Sequence, residues 1–206
     1  MAFIPPGCGD SVQQRLWRSR SIHLSPEHVN TTAPRGANED NQMNKKCICI
    51  FDLDGTLSNG NHRLHLLPKK DLHLTESWTA FNMAAGGDAP ITDTIRVMKA
   101  MRAAGFIVII LTGRSDEARE ITEKWLVQNG ASHYDLLIMR AASDNRKDTV
   151  IKEEILRKIG IERIVAAWDD SPTVIAHFRS LGITTYQVCD YGENLHDHLK
   201  SHGVDK

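Results

Sequence analysis

The sequence has few cysteines and no long apolar run, and both absences limit where the protein works. It contains four cysteines among 206 residues. Cys47 and Cys49 lie two apart in one apolar run, a spacing that suits packing on one face of a strand rather than a disulfide. No apolar stretch approaches the length of a membrane span, and the N-terminus lacks an apolar secretion segment. We therefore expect a cytoplasmic protein that does not contact a membrane.

The sequence also has little net charge. It carries 25 Lys and Arg residues against 26 Asp and Glu residues, so its net charge is −1. A protein that grips long duplex DNA usually presents a basic face, and no basic run in this chain supplies one. Isolated basic residues such as Arg140 and Arg146 are sufficient only for one or two phosphate contacts.

The first 44 residues differ in composition from the rest. Residues 1–44 are rich in Pro, Asn, Ser, Thr and Arg and show no sustained hydrophobic period. This composition predicts a disordered N-terminal extension. Residues 45–206 have a regular hydrophobic pattern, which predicts that they form the folded domain.

Helical stretches and apolar runs alternate in the predicted domain. Each helical stretch leads to a glycine, the residue that most readily takes the left-handed conformation beyond a helix end. The helical stretches cover residues 91–104, 116–129, 149–159 and 172–181. The apolar runs cover residues 47–51, 106–111, 136–139, 164–168 and 184–188. The alternation predicts an α/β fold with a Rossmann-like parallel sheet of about five strands flanked by helices.

Two carboxylates follow the first apolar run. Asp52 and Asp54 stand in the sequence Asp-Leu-Asp-Gly-Thr-Leu, where a strand of an open parallel sheet would present its ligand site. Carboxylates this close repel each other unless a cation or a proton lies between them. An EF-hand calcium loop that began at Asp52 would need a Glu at its twelfth position. That position is Arg63, so the calcium interpretation fails.

The hexapeptide resembles the signature of the haloacid dehalogenase superfamily of phosphotransferases. In that superfamily the first Asp attacks phosphorus and the second moves the proton, and three further elements follow in a fixed order. The matching residues here are, in order, Thr112-Gly113-Arg114, Lys152 and Asp169-Asp170. Each alone is equally well explained as a turn, a surface charge or a helix cap. Together, and in this order, they favour an enzyme.

The resemblance implies a role for each matching residue. It implies catalytic roles for Asp52, Asp54, Thr112 and Lys152, a Mg²⁺ site at Asp52, Asp54, Asp169 and Asp170, and substrate binding by Gly113 and Arg114. Arg140 and Arg146 are candidate contacts for substrate phosphate, and a surface charge explains Arg146 equally well. Asp52 would be the nucleophile. Asp54 would be the general acid and base, with a pKa raised by acidic surroundings, and would reach the metal through its backbone carbonyl.

Residues 58–90 interrupt the alternation. A segment this long without a regular pattern is usually functional or disordered, and in the superfamily it forms a small cap over the active site. We expect a helix from about Ser77 to Ala85, with Trp78 and Phe81 on one face. These aromatics are suited either to packing the insertion onto the domain or to stacking on a base, and packing is the commoner use.

A longer stretch narrows the resemblance to one branch of the superfamily. The run from Met139-Arg140 through Asp144-Asn145-Arg146-Lys147-Asp148 to Lys152 resembles the 3′-phosphatase half of the bacteriophage polynucleotide kinase–phosphatase. The resemblance extends over residues 46–190, although the insertion after Asp54 is longer here. The sequence has no Gly-x4-Gly-Lys-Ser/Thr loop, so this chain alone lacks a P-loop kinase site.

These matches favour a Mg²⁺-dependent phosphomonoesterase that acts through an aspartyl-phosphate. The implied substrate is the 3′-phosphate of a nucleic-acid end or a phosphorylated nucleotide, and a separate kinase is a candidate partner. A phosphatase of small metabolites and a catalytically silent binding module are the alternatives. The complete set of matching residues argues against the second alternative, and the oligomeric state stays open.

Overall fold

Five parallel strands form the central sheet of the protein, for which the computed structural model describes residues 47–189. The strands of the described residues, in chain order, are β1 (Ile48–Phe51), β2 (Ser58–Asn59), β3 (Ala89–Pro90), β4 (Ile107–Ser115), β5 (Leu136–Arg140), β6 (Ile164–Asp169) and β7 (Thr185–Gln187). Of these, β2 and β3 form a separate ribbon and the other five form the sheet. The sheet has the order β5-β4-β1-β6-β7, so the strand before Asp52 lies at its centre. The predicted sheet and its central strand are confirmed. The extension predicted over residues 1–44 lies outside the described residues.

Helices cover both faces of the sheet. The α-helices of the described residues are α1 (Thr79–Met83), α2 (Thr92–Ala103), α3 (Arg119–Gln128), α4 (Asp148–Ile159) and α5 (Pro172–Ser180). Successive side chains of β1 point to opposite faces: Cys49 and Phe51 pack with α2 and α3, whereas Ile48 and Ile50 pack with α4 and α5. None of the helices within residues 47–189 has both the length and the apolar character needed to cross a bilayer.

Glycines follow the carboxyl ends of the helices that lead into strands, as the sequence predicts. Four of them have positive φ angles: Gly105, Gly130, Gly160 and Gly182. A residue with a side chain resists this conformation, so each glycine allows the chain to leave its helix and enter the next strand. As a result, β1, β4 and β6 run parallel and their carboxyl ends meet at one edge of the sheet.

The cap insertion (residues 58–90) leaves this edge and returns to it. Its ends pair as the short antiparallel ribbon β2–β3. Helical turns continue from Thr75 through α1 to Gly87 and include the predicted helix. Trp78 and Phe81 are buried and pack edge to face, with ring centroids 6.1 Å apart. The packing interpretation of these aromatics is therefore confirmed.

Candidate active site

Three carboxylates meet at the carboxyl ends of β1 and β6. Asp52 directly follows β1, and its backbone N–H donates to the carbonyl of Trp168 at 2.9 Å. Asp169 ends β6, and Asp170 follows it. Each of the three carboxylates offers an oxygen within 4.8 Å of the others, and all three residues are almost fully buried. Buried charges of one sign at this spacing are costly unless a cation offsets them.

One lysine supplies part of that positive charge. Lys152 lies on α4 and is 3% exposed. Its Nζ donates to Asp52 Oδ1 at 2.9 Å and to Asp169 Oδ2 at 3.0 Å. The same atom lies 3.2 Å from Asp148 Oδ2, one helical turn earlier. Lys152 is therefore fixed against the carboxylates that end two neighbouring strands.

Sequence reasoning gave Asp148 no role, although a usable signal was present. Aspartate and lysine four residues apart on a helix lie on the same face, and Asp148 and Lys152 have this spacing. Asp148 also approaches the irregular end of β4, since a Cβ built on Gly113 would lie 2.6 Å from Asp148 Oδ1. A side chain at position 113 would displace the Asp148 carboxylate, so the close approach ties the start of α4 to the segment that carries Thr112.

The acidic cluster shifts the protonation of its members. Burial raises the pKa of Asp52, and Asp169 and Asp170 add to the rise, while Lys152 opposes it. Burial also raises the pKa of Asp169. The burial of Lys152 acts to lower its pKa, but Asp148, Asp169 and Asp52 outweigh this and raise it well above its usual range. The site thus holds a charged lysine and still has more negative than positive groups.

This donor set fits a small divalent cation. Mg²⁺ prefers oxygen ligands and is usually held by one or two carboxylates together with water and substrate phosphate. The oxygens of Asp52, Asp169 and Asp170 converge, and a cation among them would relieve the repulsion between the three carboxylates. The Asp54 side chain pairs with Arg63 and Arg114 instead. The part of Asp54 left to bind a cation is therefore its backbone carbonyl, which is the ligand that the sequence predicts.

The irregular end of β4 brings Thr112 beside the cluster. Phe51 pairs with Ile110 in the parallel register, so Thr112 in β4 lies nearly level with Asp52 at the end of β1. The pairing of β4 with β5 shifts between Thr112 and Ser115. Thr112 is 3% exposed, and its Oγ1 accepts a hydrogen bond from the backbone N–H of Arg114 at 3.1 Å. This contact supports the segment Thr112-Gly113-Arg114 next to the nucleophile candidate.

Asp54 is held by two buried arginines. Arg114 Nε donates to Asp54 Oδ2 at 3.1 Å, and Arg63 of the cap insertion also pairs with Asp54. Asp88, near the end of the insertion, joins the two arginines: its Oδ1 accepts from Arg63 Nε at 2.7 Å, and its Oδ2 lies 3.3 Å from Arg114 Nη2. The guanidinium of Arg63 also lies 3.9 Å from the ring centroid of Phe81. The insertion is therefore attached to the site through its charged groups.

The arginines reverse the expected protonation of Asp54. Burial alone would raise the pKa of Asp54, but the positive charges of Arg114 and Arg63 outweigh it and hold this pKa well below its usual range. The sequence-based expectation of a raised pKa is wrong, because the nearest charged groups are arginines rather than carboxylates. Sequence spacing gave no signal for Arg63 and Asp88, which are brought together only by the fold of the insertion.

Arg140, for which the sequence implies a substrate contact, is buried inside the protein. It is 1% exposed and ends β5. Its guanidinium donates to the carbonyls of Gly113 at 3.1 Å and Arg146 at 2.6 Å, and to Asp148 Oδ1 at 3.2 Å. Arg140 thus connects the irregular end of β4, the loop after β5 and the start of α4. Its substrate-binding role stays a prediction, and its contacts favour positioning.

We expect Arg140→Ala to lower the free energy of unfolding by about 3–5 kcal/mol, the range for removing one member of a buried charge pair. The truncation leaves Asp148 without its arginine and removes the side-chain donor of three carbonyls, those of Gly113, Asp144 and Arg146. Chemical denaturation measures the change. The matched control is Arg146→Ala, since Arg146 pairs with Asp144 and Glu154 on the surface and its side chain is 51% exposed. Equal effects of the two substitutions would contradict this assignment.

Arg146 lies on the loop after β5 and remains accessible. Its Nη2 lies 2.6 Å from Asp144 Oδ2, and its Nη1 lies 2.7 Å from Glu154 Oε2. Exposed ion pairs of this kind contribute little to stability and rearrange easily. Arg146 is thus able to exchange its carboxylate partners for a phosphate, as the sequence predicts, whereas Arg114 has its guanidinium in the buried network with Asp54.

The chain is similar to known phosphatase domains over most of its length. Residues 46–193 match the family described as the polynucleotide kinase PNKP phosphatase domain. A protein of Autographa californica nuclear polyhedrosis virus, described as a bifunctional polynucleotide kinase/RNA ligase, is 26% identical over 153 residues. The match covers 70% of this chain and 20% of the viral protein.

Two solved structures are also similar to this chain. A chain of the Pnkp1/Rnl/Hen1 RNA repair complex superposes with a TM-score of 0.57 at 32% identity, over 72% of this chain and 44% of that one. A haloacid dehalogenase-like hydrolase from Streptococcus pneumoniae superposes with a TM-score of 0.52 at 12% identity, over 70% of this chain and 85% of that one, and shows the fold alone. The present chain therefore spans less than half the length of the first structure and a fifth of the viral relative.

Proposed function

The chain belongs to the family of polynucleotide kinase phosphatase domains, and on this premise we propose that it hydrolyses phosphate monoesters at the 3′-ends of nucleic acids or on nucleotides. The observation that carries the proposal is the surroundings of Asp52. Its buried carboxylate lies 2.9 Å from Lys152 Nζ and within a cluster suited to a divalent cation. This arrangement supports attack on a phosphate by a carboxylate whose charge is offset by its neighbours.

Asp52, Asp169, Asp170 and the backbone carbonyl of Asp54 are the groups that would hold Mg²⁺. When bound, the cation supplies positive charge that allows an anionic phosphate to approach the carboxylates. Lys152 contributes a second positive charge from the protein itself, and its Nζ donates to Asp52 Oδ1. Asp148 keeps Lys152 in this place through its contact at 3.2 Å.

Asp52 acts as the nucleophile, and Asp54 transfers the protons. A carboxylate oxygen of Asp52 forms a bond to phosphorus as the bond from phosphorus to the 3′-oxygen breaks. Asp54 gives its proton to that leaving oxygen. In the second half, Asp54 takes a proton from the water that attacks the aspartyl-phosphate, and inorganic phosphate leaves with Asp52 restored.

The irregular end of β4 binds the phosphoryl oxygens. The Thr112 hydroxyl and the backbone N–H of Gly113 are the donors, since the Arg114 N–H already donates to Thr112 Oγ1. The absence of a side chain on Gly113 leaves room for the Asp148 carboxylate, and Arg140 donates to the Gly113 carbonyl. Donors fixed before substrate arrives cost no reorganisation during the reaction. Arg114 acts on Asp54 rather than on the phosphate, because it is 2% exposed and pairs with that carboxylate.

Several observations favour nucleic-acid ends over small metabolites as the substrate. The family is that of polynucleotide kinase phosphatase domains, and the similar viral protein is described as a polynucleotide kinase/RNA ligase. Arg146 lies accessible on the loop after β5, as a contact for a second phosphate requires. We propose a kinase as a partner, since a similar solved chain belongs to the Pnkp1/Rnl/Hen1 RNA repair complex and the viral relative is described as a polynucleotide kinase/RNA ligase.

Phosphate release from matched substrates tests the proposal. The panel comprises one oligonucleotide with a 3′-phosphate, the same oligonucleotide with a 5′-phosphate, nucleoside monophosphates and p-nitrophenyl phosphate. We expect kcat/KM to be highest on the 3′-phosphorylated oligonucleotide. Activity confined to p-nitrophenyl phosphate and small phosphorylated metabolites would establish the metabolite phosphatase instead. No release from any of them would favour the binding module.

We expect Mg²⁺ to raise the thermal midpoint, because it binds the folded carboxylate cluster and not the unfolded chain. At a concentration one hundred times its Kd, such a ligand stabilises by about 2.7 kcal/mol, which corresponds to a shift of roughly 5–10 °C for a domain of this size. Differential scanning fluorimetry with Mg²⁺ or with EDTA measures the shift. Asp170→Asn should abolish most of it, while Asp93→Asn, on the exposed face of α2, should retain it. A shift that survives Asp170→Asn would place the cation elsewhere.

A further inference from the structure

Three aromatic rings form a continuous stack across the sheet, just below the acidic cluster. Phe51 of β1 and Trp168 of β6 lie parallel, with ring centroids 4.4 Å apart and an interplanar angle of 2°. Trp168 and Tyr186 of β7 are 5.3 Å apart at 25°. Trp168 is the register partner of both other residues. The stack therefore leads from the residue before Asp52 outward to the edge strand.

The outer end of this stack is exposed. Phe51 is completely buried, whereas Tyr186 is 52% exposed. Helices α2 and α3 cover this face over the centre of the sheet, and α4 and α5 pack on the opposite face. β7 is the last strand on its side of the described sheet. One surface of the Tyr186 ring packs against Trp168, and the ring still presents a large area to solvent.

The cap insertion is attached on the other side of the site. Thr75 donates from its backbone N–H to Asn145 Oδ1 and from its hydroxyl to the Asp144 carbonyl, both at 2.7 Å. Thr79 Oγ1 donates to Glu117 Oε2 at 3.0 Å. These partners lie in the connections that follow β4 and β5. A polymer that leaves the site away from these attachments therefore passes over β6 and β7.

Building on the proposed function, we propose that a single-stranded nucleic acid leaves the site across β6 and β7 and stacks a base on the exposed ring of Tyr186. Neighbouring strands are about 4.8 Å apart, so Tyr186 lies roughly 10 Å from β1 and Asp52. That distance places the stacked base beside the reacting end of the strand. Stacking on an aromatic ring accepts any base, and it supplies affinity that the nearly neutral chain lacks in charge.

Substitutions of Tyr186 separate a stacking role from other roles. Tyr186→Ala should raise KM for a 3′-phosphorylated single-stranded oligonucleotide roughly fivefold to a hundredfold more than KM for p-nitrophenyl phosphate, the range for losing one stacked base. Tyr186→Phe keeps an aromatic ring and should retain the wild-type ratio. Tyr186→Leu keeps apolar area without a ring and should behave like Tyr186→Ala. Val127→Ala removes another exposed apolar side chain, on α3, and is the matched control.

A second measurement detects the stacking of the base directly. With the inactive Asp52→Asn protein, 2-aminopurine placed near the 3′-phosphate should lose fluorescence on binding, and Tyr186→Leu should restore it. Equal KM changes on both substrates, or quenching that survives Tyr186→Leu, would overturn the stacking role while the phosphatase activity stands. A lowered thermal midpoint with an unchanged KM ratio would assign Tyr186 to packing within the protein or between copies. Wild-type protein without activity on oligonucleotides would overturn both proposals.

Discussion

Asp52→Asn should reduce kcat by about four orders of magnitude or more, because an amide neither attacks phosphorus nor forms the covalent intermediate. Loss of a nucleophile that acts together with its neighbours has effects on this scale. The substitution is isosteric, and Lys152 keeps its contacts with Asp169 and Asp148. We therefore expect the folded protein to retain a thermal midpoint close to that of the wild type. Steady-state phosphate release and a thermal melt measure the two quantities.

The control for this substitution is the same chemical change at an exposed position. Asp93 lies on α2, and its side chain is 92% exposed. Asp93→Asn should leave kcat unchanged, which separates the loss of the nucleophile from a general effect of removing a negative charge. Retention of more than about one hundredth of the wild-type rate by Asp52→Asn would contradict the assignment, since that residue would then be dispensable for chemistry.

The sheet and the position of the acidic cluster were predictable because both depend on local patterns. A short apolar run in the sequence predicts a buried strand, and ligand sites form at the carboxyl ends of parallel strands. Asp52 and Asp169 follow such runs, and Lys152 lies on the helix between β5 and β6. Their meeting therefore follows from the order of the strands, which short right-handed connections restrict to few alternatives.

The charge network around Asp54 was not predictable in the same way. Arg63 and Asp88 are 25 residues apart in an insertion with little regular structure, and their contact at 2.7 Å depends on the path of that insertion. Without them the carboxylates alone suggested a raised pKa for Asp54, the opposite of what the arginines produce. The burial of Arg140 was not predictable for a related reason, since its contacts with Gly113, Arg146 and Asp148 depend on how three segments of the chain meet.

Because of this network, a substitution of Asp54 is the sharpest test of the proposed mechanism. Arg63 and Arg114 keep its carboxyl ionised, so its proton-bearing form is scarce but strongly acidic. Such an acid matters most when the leaving group is a poor one. The sugar 3′-oxygen needs a proton to depart, whereas p-nitrophenolate is a stable anion that departs without one.

We expect Asp54→Asn to lower kcat/KM on a 3′-phosphorylated oligonucleotide by roughly a hundredfold to ten-thousandfold, the usual contribution of a general acid. The loss in kcat/KM on p-nitrophenyl phosphate should be much smaller, because that parameter covers only the steps up to departure of the leaving group. Turnover of p-nitrophenyl phosphate should nevertheless slow, since the attacking water loses its base. A stopped-flow burst of p-nitrophenolate equal to the enzyme concentration should therefore precede a slow steady state.

The contrast between the two substrates separates proton transfer from structural support. If Asp54 served only to hold Arg63 and Arg114, its replacement would disturb the site for every substrate, and kcat/KM would fall equally on both. Asp88 still pairs with both arginines in Asp54→Asn, so the network keeps a negative partner and the thermal midpoint should fall little. Equal losses on the two substrates, or no burst, would remove Asp54 from the proton-transfer role and leave it as an anchor between the cap insertion and the sheet.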